Sequence, residues 1–112
     1  MDESTFEHAA HEEMIALEDA FAEVDPDQVE VEVSDGVLRL DLRDGTKIVI
    51  NCHRAARQIW MAAISTAWHF DPVVGPVVGP AGTTWIASKT GEALRPTLAR
   101  IVRERTGLSI DL

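Results

Sequence analysis

Thirteen carboxylates stand in the first 35 residues with no lysine or arginine among them: Asp2, Glu3, Glu7, Glu12, Glu13, Glu18, Asp19, Glu23, Asp25, Asp27, Glu30, Glu32 and Asp35. The rest of the chain holds the other six acids and all ten basic residues, so the two parts carry −13 and +4 within a formal net charge of −9. Carboxylate oxygens without neighbouring cations are the donors that hard cations such as Fe²⁺, Fe³⁺, Mn²⁺, Mg²⁺ or Ca²⁺ take. The same field attracts a basic protein surface. A plainer use of the pattern is a solvated helix face that maintains solubility. Ordinary exposed helices, however, mix signs to gain i,i+4 pairs, and this segment forgoes them.

Other potential ligands are sparse. His8 and His11, three apart, could add a nitrogen donor, although surface histidines of helices are commonly idle. Cys52-His53 is a soft pair with no second pair to complete a site, and reads as a strand-end thiol beside a loop histidine. The first helix holds no Glu-x-x-His, which disfavours a di-iron centre. The chain also lacks a phosphate loop, a G-x-S-x-G and an H-E-x-x-H, so nothing in it marks an enzyme. Nucleic-acid binding is not expected, because phosphates need clustered Lys and Arg. No apolar run is long enough to span a membrane. The acidic start Met1-Asp2-Glu3 is unlike a targeting peptide, and one cysteine suits a reducing compartment, so the expected location is cytoplasmic.

The elements that position these residues follow from periodicity. Phe6, Ala10, Met14, Leu17, Phe21 and Val24 recur at helical spacing from Ser4 to about Glu23. Ser4 and Glu7 suggest a capping box, and Asp25-Pro26-Asp27 ends the helix. At about 100° per residue, Glu7, His11 and Glu18 fall on one flank of the apolar stripe, with Glu12, Asp19 and Glu23 near the other. Asp25 and Asp27 follow at the helix end. In the next segment Val29, Val31 and Val33 alternate with Glu30 and Glu32, the pattern of a half-buried strand with its acids in solvent. Ser34-Asp35-Gly36 and Arg43-Asp44-Gly45 turn the chain into strands Val37–Leu42 and Lys47–Ile50.

Further strands are expected over Gln58–Ile64, Ala67–Phe70 and Thr84–Ser88. Between Asp71 and Thr83 a doubled Pro-Val-Val-Gly unit reads as a loop. A second helix is expected from near Thr90-Gly91-Glu92, with Leu94, Leu98, Ile101 and Val102 inward and Gly107 as its stop. Pro96 is awkward there and argues for a later start. The tail from Leu108 to Leu112 alternates as if packing back on the domain. The predicted fold is one α+β domain over residues 1–112, a two-layer sandwich of an antiparallel sheet of five or six strands with both helices on one face. If Ile59 and Met61 face the helices, Trp60 shares the opposite face with Gln58. There it either packs over neighbouring strands or stands out as a contact anchor, and the residues leave both open.

Gly45-Thr46-Lys47-Ile48-Val49-Ile50-Asn51, then Gln58-Ile59-Trp60-Met61-Ala62, Trp68-His69-Phe70-Asp71, Trp85-Ile86 and Thr90-Gly91-Glu92 stand in an order that resembles the bacterial frataxin (CyaY-type) family. The shared features are an N-Q-x-P-x-x-Q-I-W signature, a strand ending aromatic-Asp, and W-I…S-G-E before the last helix. The resemblance covers essentially the whole chain. It departs where Cys52-His53-Arg54-Ala55 replaces the usual Lys or Arg, Gln and Pro, and in the longer segment from Pro72 to Gly82.

The resemblance implies weakly bound iron as Fe²⁺ or Fe³⁺, held by a ridge of Glu7, His11, Glu18, Asp19, Glu23, Asp25, Asp27, Glu30 and Glu32. It also implies docking to the cysteine desulfurase and the iron–sulfur scaffold protein through Asn51, Gln58 and Trp60. The chain would then be a monomeric iron donor or regulator of cluster assembly, with iron-driven oligomerisation left open. A metal-independent acidic adaptor for a basic partner is the alternative. Ferroxidase activity, implied by the family alone, ranks last.

Overall fold

The computed structural model describes residues 1–75 and 82–112. The elements run α1 (Glu3–Phe21), β1 (Val29–Ser34), β2 (Val37–Leu42), β3 (Lys47–His53), β4 (Gln58–Ala63), β5 (Thr66–Val74), β6 (Thr83–Ala87) and α2 (Leu94–Thr106). The six strands form one antiparallel sheet in sequence order, as successive hairpins demand. Leu38, Leu40, Ile48, Ile50, Ile59, Met61, Phe70 and Trp85 face one way and are buried. They form one core with Phe6, Leu17 and Phe21 of α1 and Leu94, Leu98, Ile101 and Val102 of α2. Trp85 and Phe6 meet in a T-shaped contact with ring centroids 5.8 Å apart. Both helices therefore cover one sheet face, and the alternate residues, Trp60 and Gln58 among them, belong to the other.

Several boundaries differ from the sequence reading for identifiable reasons. Asp2, not Ser4, caps α1, its carboxylate accepting from Thr5 N at 2.8 Å; Ser4 lies within the helix. The β3 strand continues past Ile50 to His53 because Cys52 and His53 pair with Ile59 and Gln58. Those polar residues carry no hydrophobic alternation to announce it. Ile64 leaves the strand for a two-residue turn with Ser65, since Ala63 pairs with Thr66.

Part of the presumed loop is strand as well. Pro72, Val73 and Val74 pair with Trp85, Thr84 and Thr83, and Gly75 N donates to Gly82 O at 3.2 Å. Pro72 is tolerated because β4 begins opposite Asp71, so no strand on that side needs its missing N–H. The centre of the doubled Pro-Val-Val-Gly segment lies outside the described residues.

The second helix begins at Leu94, after Thr90-Gly91-Glu92. Pro96 falls in its first turn, where a backbone N–H has no helical partner to lose. Glu92 instead closes the approach: its carboxylate accepts from Trp68 Nε1 at 3.1 Å and from Arg100 at 3.2 Å. Gly107 ends α2 at φ 81°, a left-handed conformation suited to glycine. Leu108, Ile110 and Leu112 pack against the core as the tail's alternation predicted.

Candidate metal ridge and docking face

The acidic residues of α1 divide into three environments. Glu13 points inward and is 2% exposed, receiving a two-pronged pair from Arg95 at 2.8 and 2.9 Å. The hydrogen bond from the Arg95 guanidinium to that carboxylate, outweighing partial burial, raises the arginine above its ordinary value. Toward the helix start, Glu7 accepts from Arg54 at 2.8 Å and Glu3 lies 3.8 Å from Arg57, both arginines coming from the β3–β4 turn. Glu12 meets His8 at 2.9 Å. These partners are distant in sequence except for His8, which is why a stretch without bases is still partly neutralised.

The second half of the ridge is different. Glu18, Asp19, Glu23, Asp25 and Asp27 are exposed, and among the described residues none makes an ion pair. The last turn of α1 carries no basic residue. The C-terminal end of a helix already bears partial negative charge, so these acids add to it where most helices place cations. Asp25 also organises its turn, accepting from Asp27 N at 2.9 Å.

On β1, Glu30 and Glu32 are exposed on the strand's solvent side. Glu32 sits 3.7 Å from Arg39. Glu30 lies opposite Asp41, which holds Lys47 at 2.7 Å; that hydrogen bond, then the Asp41 charge, keeps the ammonium above its ordinary value, with a smaller contribution from Glu30. Exposed His11 projects from the first half of the ridge. Among the described residues no three His, Cys, Asp or Glu side chains gather as a ready-made cation site. The donor set therefore suits hard cations held loosely by one or two carboxylates with their water retained, rather than a closed cage.

The uncovered sheet face is ordered more tightly. Trp60 stands between His53, at 4.0 Å and 12°, and His69, at 4.2 Å and 15°. Its Nε1 donates to Gln58 Oε1 at 2.8 Å, and Gln58 Nε2 donates to Asp71 at 2.9 Å. Asn51 is Trp60's partner across β3 and is half-buried. Asn51, Gln58 and Trp60 thus meet on one patch, while the ridge lies on α1, the following turn and β1. Cys52 points to the core side, where burial pushes its thiol above the ordinary value; it makes no site with His53, whose side chain is on the other face.

A family model described as the Frataxin-like domain matches residues 1–108. The chain belongs to the frataxin-like family. It is 32% identical over 111 residues to the iron-sulfur cluster assembly protein CyaY of Pseudomonas fluorescens, an alignment covering 99% of this chain and 94% of that protein. To the protein of the same description in Azotobacter vinelandii it is 34% identical over 95 residues, covering 85% and 80%. Among solved structures, the frataxin of Psychromonas ingrahamii superimposes with a TM-score of 0.82, covering 99% and 97% of the two chains at 22% identity, a likeness of fold. A trimeric frataxin of Saccharomyces cerevisiae, complexed with ferrous iron, matches with a TM-score of 0.65 at 25% identity, covering 96% and 88%.

In this frataxin-like chain, sequence reasoning missed His53, His69, Arg54, Arg57 and the Glu13–Arg95 pair. Some signals existed. Counting back from the Ile64-Ser65 turn sets His69 opposite Trp60, and Glu13 falls within the helical stripe of Phe6, Ala10 and Leu17, where a charge needs a partner. For the two arginines no local pattern existed, since their partners are set by how the sheet lies against α1.

Proposed function

We propose that this frataxin-like protein carries iron, weakly bound, on its acidic ridge, and acts in iron–sulfur cluster assembly as an iron donor or regulator of the cysteine desulfurase complex. The observation that carries the reading is the run Glu18, Asp19, Glu23, Asp25 and Asp27 at the negative end of α1 without any cation among the described residues. In an assembly-protein family, one of whose members is a ferrous complex, that field has a natural cargo. Glu7, His11, Glu30 and Glu32 extend it at both ends. Iron held through one or two carboxylates exchanges readily, which suits delivery or sensing better than storage.

The same negative charge would steer the protein toward a basic patch on the desulfurase, with Asn51, Gln58 and Trp60 completing contact to the desulfurase and the scaffold protein. The protein works in the cytoplasm as a monomer on this reading. Anaerobic titration with Fe²⁺, followed by NMR, tests the ridge: resonances of Glu18, Asp19, Glu23, Asp25 and Glu30 should broaden first. Unaffected signals there, with changes elsewhere, would remove the assignment. The Trp60→Ala variant should weaken desulfurase binding while leaving iron binding intact.

A second reading has its own support. Arg54 and Arg57 already sit on Glu7 and Glu3, so the ridge accepts guanidinium groups within its own chain. A metal-independent adaptor for a basic partner would use the ridge in this way, and tight partner binding indifferent to iron and chelator would favour it. Ferroxidase activity stands lowest, and oxidation of Fe²⁺ no faster than in buffer would dispose of it.

A further inference from the structure

The Trp60 indole has a ring on each of its faces. His69 lies directly opposite it on β5, and His53 reaches it from β3, two residue pairs along from Asn51 and on the same face. Stacking distances of 4.0 and 4.2 Å leave no room for a third ring or a ligand on either face. Only the rim of the indole is open to a partner, and the Nε1 end of that rim is tied through Gln58 to Asp71. The Trp60 side chain is thus held on both faces and at one edge.

Each stacked ring adds attraction to the indole face it covers. His53 is itself held in place, since its Nδ1 accepts from Ala56 N at 3.3 Å.

Lys89, after β6, lines the same groove as His69 and Gln58, and Glu92, Arg100 and Glu104 line it farther along. Asp71 on β5 is linked through Gln58, and Arg54 and Arg57 in the adjacent turn are drawn toward Glu7 and Glu3. Arg39 on β2 is paired with Glu32. The β6 strand presents uncharged Thr84 and Ile86 on this side, and both helices cover the opposite one.

We propose that His53 and His69 are positioning residues that clamp the Trp60 indole rim-outward in the docking face, so that a partner meets it in one orientation. The inference rests on the docking role given to Trp60 above, but the clamp can be tested on the free protein. In the wild-type protein the Trp60 indole ¹⁵N–¹H group should be as rigid by ¹⁵N relaxation as the strands around it. In His53→Phe/His69→Phe the rings still stack, so the indole should stay rigid. In His53→Ala/His69→Ala the indole should become mobile.

A mobile indole in the wild-type protein overturns the proposal, as does an indole loosened in the double Phe variant, where both rings remain. An indole equally rigid in the double Ala variant also overturns it. Should either double variant fail to fold, the single changes His53→Gln and His69→Gln serve instead, each expected to loosen the indole in part. If Trp60→Ala leaves desulfurase affinity unchanged, the docking role falls, and the clamp is still decided by these spectra.

Discussion

Between Glu3 and Glu13, α1 lends its carboxylates to other parts of the molecule: to Arg57, Arg54 and, inside the domain, Arg95. Between Glu18 and Asp27 the same residue types meet no cation among the described residues and crowd the helix end where their charge is least welcome. The first half of the segment is held by long-range pairs that fix α1 against the sheet and α2. The second half contributes little to holding the fold, and this leaves it available to something from solution. Like composition along one helix thus hides two different physical roles, separated by what the tertiary structure brings near.

The sharpest break of that contrast is Arg95→Ala. It strands Glu13 in the core, and removing one partner of a buried pair costs about 3 kcal/mol, which urea unfolding would register. A loss under about 1 kcal/mol would mean that the Glu13 carboxylate reaches water by another route. Neutralising the other half should go the opposite way. Glu18→Gln/Asp19→Asn/Glu23→Gln relieves repulsion at the helix end and should stabilise the fold by roughly 0.5 kcal/mol at low salt, with the gain fading as salt screens it. Thermal melts showing destabilisation would reverse the reading of that half.

The smallest effect is at the helix start. The Asp2 carboxyl is held below its ordinary 3.8, first by the hydrogen bond from Thr5 N. With the folded value depressed, the unfolded chain binds its proton at higher pH, so this contribution is full above about 3.8 and is lost as pH falls through the lower folded value. Asp2→Asn should flatten this part of the acid limb in a circular-dichroism titration. An unchanged limb would leave the cap without a role in acid stability.

Much of the fold was legible because the apolar residues keep strict periods: Leu38, Leu40 and Leu42 in one strand, Phe6, Ala10 and Leu17 in the helix. The order of strands followed from short turns. Val33 shows where this fails: alternation points it inward, yet it is 49% exposed at the far end of an edge strand that the helices do not cover. Val73 and Val74 are exposed similarly on the ribbon that runs past β4. The acidic residues of the candidate site were legible as composition, but not their division into paired and unpaired halves, because Arg54, Arg57 and Arg95 come from elements far along the chain. Trp60's face followed from Ile59 and Met61; its two histidine neighbours needed the register.

The pairing of Arg54 with Glu7 and Arg57 with Glu3 gives the ridge a direction. A cation approaching the start of α1 must displace a tethered guanidinium, whereas one approaching Glu18, Asp19 or Glu23 displaces only water. On the iron-carrying reading, loading proceeds as a sequence: the far end fills at low metal concentration, and the near end only when enough metal is present to compete. Each ion gained at the near end would free an arginine on the turn beside His53, so a nearly full ridge and a sparsely loaded one would present different charge to whatever docks at Trp60.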